Sequence, residues 1–212
     1  MTLQLPKVYP ITDRSIASLT HSEQVRRLIA GGATLVQLRE KNDVSGTFYQ
    51  DACAALQIAR NAGTTLIVND RVDVALAIGA DGVHLGQADL PVIAARKLLG
   101  SKAIIGYSTH TLDQVKAALD LPIDYVAFGP IFKTSSKINP DPIVGVGQLR
   151  EAKSIAGGLP LVGIGGIQGS NLAQVLSAGA DSAAIISEIL KTPENITNNF
   201  KNLLLETSPE RC

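Results

Sequence analysis

Tyr125-Val126-Ala127-Phe128-Gly129-Pro130-Ile131-Phe132-Lys133-Thr134-Ser135-Ser136-Lys137 decides the reading of this chain. Its first four residues are apolar on both faces, which is how a buried parallel strand reads. Gly129-Pro130 ends the strand. A polar loop follows, with hydroxyls at Thr134, Ser135 and Ser136 and a cation at Lys137. Hydroxyls, free backbone N–H groups and a lysine are what a bound phosphate needs. Ser/Thr/Lys clusters are also ordinary loop chemistry, so the stretch alone leaves both readings open.

Working outward, the same unit recurs along the chain. Val8–Thr12, Leu35–Leu38, Thr65–Val68, Gly82–Leu85, Ala103–Tyr107, Leu161–Ile164 and Ala183–Ile186 all read as short apolar strands. Between them the apolar residues change to helical spacing, as in Val25, Leu28, Ile29 and in Leu112, Val115, Ala118, Leu119. Glycines stop the helices at Gly31-Gly32, Gly63, Gly79, Gly100 and Gly179. Gly31-Gly32-Ala33-Thr34, Gly79-Ala80-Asp81-Gly82 and Gly179-Ala180-Asp181-Ser182 form a weak repeat before three of the strands. Eight strand–helix units predict an α/β fold, a closed (β/α)8 TIM barrel. An open doubly wound sheet is the alternative, but no Gly-x-Gly-x-x-Gly follows the first strand. With no linker or composition break, residues 1–212 are expected to form a single domain, with a frayed tail after about residue 206.

Composition narrows the function. The chain has 212 residues, 45% hydrophobic and 18% charged, with nineteen basic residues against nineteen acidic. No global charge draws it to nucleic acid or an anionic membrane. No apolar run reaches the roughly 20 residues of a membrane span, and the N-terminus lacks the pattern of a signal peptide. The two cysteines, Cys53 and Cys212, make no disulfide framework and no metal-thiolate spacing. Cys53 reads as a small buried hydrophobe. A reducing, cytoplasmic setting is expected.

In a barrel of this kind the chemistry sits at the C-terminal ends of the strands. The polar clusters fall there: Gln37-Arg39-Lys41, Asn69-Asp70, Asp89, Ser108-His110, Thr134–Lys137, Gly165-Gly166 and Ile186-Ser187. The glycines behind the seventh strand and Ser187 behind the eighth suit a phosphate. Asp70 and Asp89 end adjacent strands and could share a hard cation such as Mg2+; each could equally cap the helix that follows it. His110 is a candidate proton carrier or an ordinary loop histidine. His84, inside a strand, reads as a satisfied core residue, and His21, before a helix, as solvated.

Gln37-Leu38-Arg39-Glu40-Lys41, Asn69-Asp70-Arg71, Gly79–Gln87, Ser108-Thr109-His110, Gly129-Pro130-Ile131-Phe132 with Thr134 and Lys137, and Gly163-Ile164-Gly165-Gly166-Ile167 resemble thiamine phosphate synthase, in order and over nearly the whole chain. The resemblance implies a TIM barrel that joins a hydroxymethylpyrimidine diphosphate to a thiazole phosphate, giving thiamine phosphate and pyrophosphate. It implies that Gln37, Leu38, Arg39, Glu40, Lys41, Asn69, Ser108 and Lys137 hold the pyrimidine diphosphate. Thr134, Ser135, Ser136, Gly166, Ile186 and Ser187 would hold the thiazole phosphate, Asp70 and Asp89 the Mg2+. Lys137, Ser108 and Arg39 are then the catalytic candidates. The family commonly has Pro-Thr-x-Thr-Lys where this chain has Lys133-Thr134-Ser135-Ser136-Lys137; Ser136 keeps the hydroxyl, and Lys133 adds a charge without an evident purpose. A thiazole tautomerase of the same fold would make His110 a base and leave the aspartates without a metal. A non-catalytic thiamine-phosphate binding protein would keep only the phosphate loops. The expected partners are small-molecule substrates and, since such barrels often associate, further copies of the chain.

Overall fold

The eight apolar runs form strands β1 (Val8–Asp13), β2 (Leu35–Arg39), β3 (Thr65–Asn69), β4 (Gly82–Leu85), β5 (Ile104–Thr109), β6 (Tyr125–Phe128), β7 (Leu161–Ile164) and β8 (Ser182–Ile185). They pair in sequence order, all parallel, and β8 pairs back with β1 to close a barrel. The structure, a computed structural model, describes residues 3–41, 45–134 and 141–207. The barrel is the closed form expected over the doubly wound sheet. The proposed fraying after residue 206 concerns residues that, but for Thr207, lie outside the described ones.

The period of two in each strand divides the apolar residues between two cores. Tyr9, Ile11, Leu35, Ile67, Tyr125, Ala127, Val162 and Ala184 form one cluster, the barrel's interior. Val8, Val36, Leu38, Leu66, Val68, Val83, Leu85, Ile105, Val126, Phe128, Leu161 and Ile185 face the other way, into a larger cluster with the helices. Burying one Leu, Ile, Val or Phe contributes roughly 1.5–3 kcal/mol, so this outer layer carries most of the apolar stabilisation.

The helices of the outer layer are α2 (His21–Ala30), α3 (Ser45–Ala62), α4 (Val72–Ile78), α5 (Val92–Leu99), α6 (Leu112–Ala118), α7 (Gly145–Ala156), α8 (Gly169–Ser177) and α10 (Ile196–Glu206). Two single-turn helices, α1 (Arg14–Ala17) and α9 (Ser187–Leu190), were not legible in the sequence. The first strand also runs one residue beyond the expected Thr12, so Asp13 belongs to it and accepts from Ser15 N as the cap of α1. Four residues are too few to show a helical period.

The lower rim, at the N-terminal ends of the strands, explains the repeated Asp of the joints. Asp81 donates from N to Leu66 O (3.1 Å) and accepts from Leu66 N at Oδ2 (2.7 Å). Asp124 makes the same pair of bonds with Ile105 (2.8 and 2.8 Å), and Asp181 with Leu161 (2.8 and 2.8 Å). Each aspartate thus clips the start of the preceding strand. Arg96 Nη2 and Lys153 Nζ supply second donors to Asp124 and Asp181, each at 2.7 Å.

Two expectations need correction. His21 is not solvated: it is fully buried, with Nδ1 2.7 Å from Thr12 Oγ1 and Nε2 3.3 Å from Glu40 Oε2. Its partners come from β1, from Glu40 just past β2 and from α3, so its own neighbours in sequence gave no hint. Cys53 is half-buried rather than buried, beside the exposed Tyr49, whose hydroxyl it holds above its ordinary pKa through a hydrogen bond.

Candidate active site

The upper rim collects the charges. The alternation that puts Tyr9 and Ile11 inside carries Asp13 inward, and that of Leu35 carries Gln37 and Arg39 inward. Asp13 and Arg39 are partners in register across β1 and β2, and Arg39 Nη1 donates to Asp13 Oδ2 in a largely buried ion pair. Lys41, just past β2, donates from Nζ to Asp70 Oδ2 at the end of β3.

Asp70 and Asp89 do not cap helices. The N-caps of α4 and α5 are Arg71 and Pro91, and neither helix has a side-chain cap bond. Asp70 sits in the left-handed region at φ +61°, a conformation a non-glycine residue seldom adopts. Its carboxyl meets that of Asp89, which also accepts from Gly86 N at 2.6 Å. Burial first, then the charge and hydrogen bond of Asp70, hold Asp89 above the usual carboxylate range; Gly86 N and Lys41 pull the other way. Two carboxylates that crowd each other are a donor set suited to a hard divalent cation. Among the described residues no three or more His, Cys, Asp or Glu form a metal cluster.

Ser108 ends β5 facing the interior, with its Oγ 2.8 Å from His84 Nε2. His84 is a satisfied core residue as expected: Nδ1 lies 2.9 Å from Tyr125 Oη, and burial lowers its pKa to about 4. Tyr125 in turn meets Tyr9 Oη at 3.1 Å, and Gln37 Nε2 donates to Tyr9 Oη at 3.1 Å. Asp13 and this interior network were missed in the sequence; the period of two from Tyr9 and Leu35 is the signal that could have found them.

The remaining candidates divide. Asn69 is buried at the end of β3, beside β4 in register with His84. Leu38 is fully buried against the helices, so only its backbone faces the rim. Glu40 is held at His21. His110 is tied to the sixth loop: Nδ1 donates to Gly129 O at 2.7 Å, and Nε2 lies 3.5 Å from Asp141. Gly165 and Gly166 have φ of +100° and +65°, and Phe132 N donates to Gly165 O at 3.0 Å, so the sixth and seventh loops pack backbone to backbone. A Cβ on Gly166 would strike Phe132 Cβ at 2.8 Å. Thr134 is half-buried beside this contact and Lys133 is exposed, while Ile186 is the N-cap of α9 and Ser187 its first residue. Ser135, Ser136 and Lys137 lie outside the described residues.

A family model described as thiamine monophosphate synthase matches residues 8–189. A thiamine-phosphate synthase of Koribacter versatilis is 42% identical over 209 residues, covering 95% of this chain and 97% of that one. One from Methanocella arvoryzae is 41% identical, covering 92% of each. The solved thiamine phosphate pyrophosphorylase of Pyrococcus furiosus superposes with a TM-score of 0.84 at 34% identity, covering 94% of each chain.

Proposed function

The chain belongs to the thiamine monophosphate synthase family, and we propose that its upper rim joins a pyrimidine diphosphate to a thiazole phosphate. It is a transferase of thiamine biosynthesis acting on small molecules, with a diphosphate leaving group. No described helix is long and apolar enough to cross a membrane.

The observation that carries the reading is the meeting of Asp70, Asp89 and Lys41 at the ends of adjacent strands, next to Arg39 and Ser108. Arg39 and Lys41 bring cations, held in place by Asp13 and Asp70, to where a diphosphate would lie. Gln37, Asn69 and the backbone of Leu38 line the way inward for the pyrimidine, and Glu40 anchors the stretch through His21. Lys137 is the third cation by its place in the sequence. Thr134, Ser135, Ser136, Gly166, Ile186 and Ser187 receive the thiazole phosphate, where the glycine backbone and hydroxyls suit an anion. Asp70 and Asp89 would hold Mg2+, which when bound supplies neutralisation of charge on the departing diphosphate.

The C–O bond between the pyrimidine CH2 and the diphosphate breaks, with both electrons leaving on the phosphate oxygen. The electron-rich aminopyrimidine spreads the positive charge left on carbon. The thiazole nitrogen then donates its lone pair to that carbon. The nitrogen carries no proton, so no general base is required, and the chain's work is positioning and stabilising charge.

The test is product formation from the two substrates with Mg2+ and with EDTA. Thiamine phosphate made only with metal supports the aspartate site; no product in either condition from folded protein overturns the reading. Lys137→Ala should lower kcat by about 10²-fold or more, as when one charge-stabilising donor is lost. An unchanged single-turnover rate would remove Lys137 from the machinery.

A further inference from the structure

We infer that Gln37, Tyr9, Tyr125 and His84 form a one-way hydrogen-bond chain that fixes Ser108 as a donor towards the upper rim, so that His84 is a positioning residue for the reaction. The inference rests on the placing of Ser108 beside the diphosphate.

The direction follows from counting hydrogens. Gln37 Nε2 donates to Tyr9 Oη (3.1 Å), so that oxygen is an acceptor on its β2 side. Tyr9 is 1% exposed and has one hydrogen of its own. Tyr125 Oη, at 3.1 Å, is the acceptor within reach. Were Tyr125 to donate to Tyr9 instead, the Tyr9 hydrogen would be buried without an acceptor, a costly state. Tyr125, also 1% exposed, must then pass its hydrogen to His84 Nδ1 at 2.9 Å. Nδ1 is therefore bare. The ring is buried, and its two nitrogens face hydroxyls rather than carboxylates, so it is neutral with its hydrogen on Nε2. Nε2 donates to Ser108 Oγ at 2.8 Å.

Ser108 receives a hydrogen from inside the barrel and must aim its own elsewhere. At the end of β5 the open direction is the rim, where an anionic phosphate oxygen would accept it. In the reverse order Ser108 would donate inward and offer lone pairs to an anion, which repels it.

The barrel makes room for this chain. Gly106 is the residue of β5 beside the two rings, and a Cβ there would lie 2.5 Å from His84 Nδ1 and run into the Tyr125 ring as well. Without it, Tyr125 and His84 stack with centroids 5.5 Å apart and planes 24° off parallel.

The test is 15N NMR of histidine-labelled, substrate-free protein at neutral pH, with the His84 signals assigned by their loss in His84→Gln. A bare Nδ1 and a protonated Nε2 are expected; a protonated Nδ1 overturns the inference. Tyr125→Phe removes the hydrogen that selects the tautomer, and should introduce the Nδ1-protonated form and lower kcat about tenfold, with KM for the thiazole phosphate unchanged. Tyr9→Phe, a second variant if Tyr125→Phe does not fold, leaves Tyr125 its hydrogen with His84 Nδ1 as the acceptor in reach, so Nδ1 should stay bare there; a protonated Nδ1 overturns the one-way order. His84→Gln, which keeps an amide donor for Ser108, should retain more kcat than His84→Leu; equal losses overturn the positioning role. Ser108→Ala is measured separately. A wild-type single-turnover rate there would overturn the placing of Ser108 and leave the tautomer result standing.

Discussion

Aspartates stand at both ends of the barrel in opposite circumstances. Asp81, Asp124 and Asp181 on the lower rim each accept a strand N–H and give one back, and two of them have a cation besides. Asp70 and Asp89 on the upper rim face each other, one in a left-handed backbone conformation and the other held above the carboxylate range. Lower-rim carboxylates have their acceptor capacity used by the fold. On the upper rim Asp70 and Asp89, with Lys41 and Gly86 N as their respective donors, bring two carboxyls against each other, and that crowding marks a place where a ligand completes the structure. The residue type is the same; a second carboxyl facing it separates site from scaffold.

The contrast breaks most visibly at Asp89. Asp89→Asn should cut kcat by about 10²–10³-fold, the range for losing one charge-stabilising group. It should not lower Tm, because the amide oxygen can still accept from Gly86 N and the repulsion from Asp70 is gone. A variant that is both inactive and markedly less stable would make Asp89 a scaffold residue like Asp181.

The upper half also holds the buried histidines. Burial keeps His84 neutral down to about 4 and lowers His21 for the same leading reason. Above pH 6.5 folded and unfolded chains both carry neutral rings. As pH falls from there towards 4, the unfolded chain binds protons that the folded chain refuses, so stability falls with pH. A drop from 6.5 to about 4 corresponds to about 3 kcal/mol for His84. Urea midpoints in EDTA between pH 7 and 4.5 should show this, and His84→Gln should flatten the slope; an unaltered slope removes His84 as its source.

At the lower rim, Asp181→Ala strands Leu161 N and Lys153, which should cost about 1–3 kcal/mol and lower Tm by several degrees. Activity per folded molecule should stay at the wild-type level, and a fall in kcat would erase the distinction between the rims. The smallest effect is expected next door. Ser182 is fully buried and its Oγ has no hydrogen-bond partner among the described residues. Ser182→Ala should leave Tm unchanged or raise it, by under about 1 kcal/mol in stability; a loss of several degrees would show that the hydroxyl has a partner after all.

Much of this was open to reading in the sequence. β4, β6 and β7 match their expected bounds, because short runs of bulky residues bracketed by Gly, Pro or Asp leave little latitude. β8 begins and ends one residue earlier than expected, since Ser182 is polar yet buried. The site was legible as a place, because charged residues repeatedly follow apolar strands. Its geometry was not. An aspartate before a helix reads locally as a cap, and it is the left-handed turn at Asp70 and the pairing of β3 with β4 that bring it to Asp89. The five residues from Gln37 to Ser108 that make up the interior network come from five strands, and no local window contains them.

The lower-rim clips have a bearing on how the barrel divides. They join β3 to β4, β5 to β6 and β7 to β8, and none is seen between β4 and β5 or between β6 and β7 among the described residues. Six of the eight strands are thereby grouped as three doublets, each fastened at its base, while β1 and β2 carry no such clip among the described residues. The natural seams of the molecule lie between doublets: a chain parted after β4 or after β6 keeps every clip within one fragment, whereas a break after β5 parts Ile105 from Asp124. From β3 to β8 the fastened unit is two strands long, twice the unit that the sequence repeats.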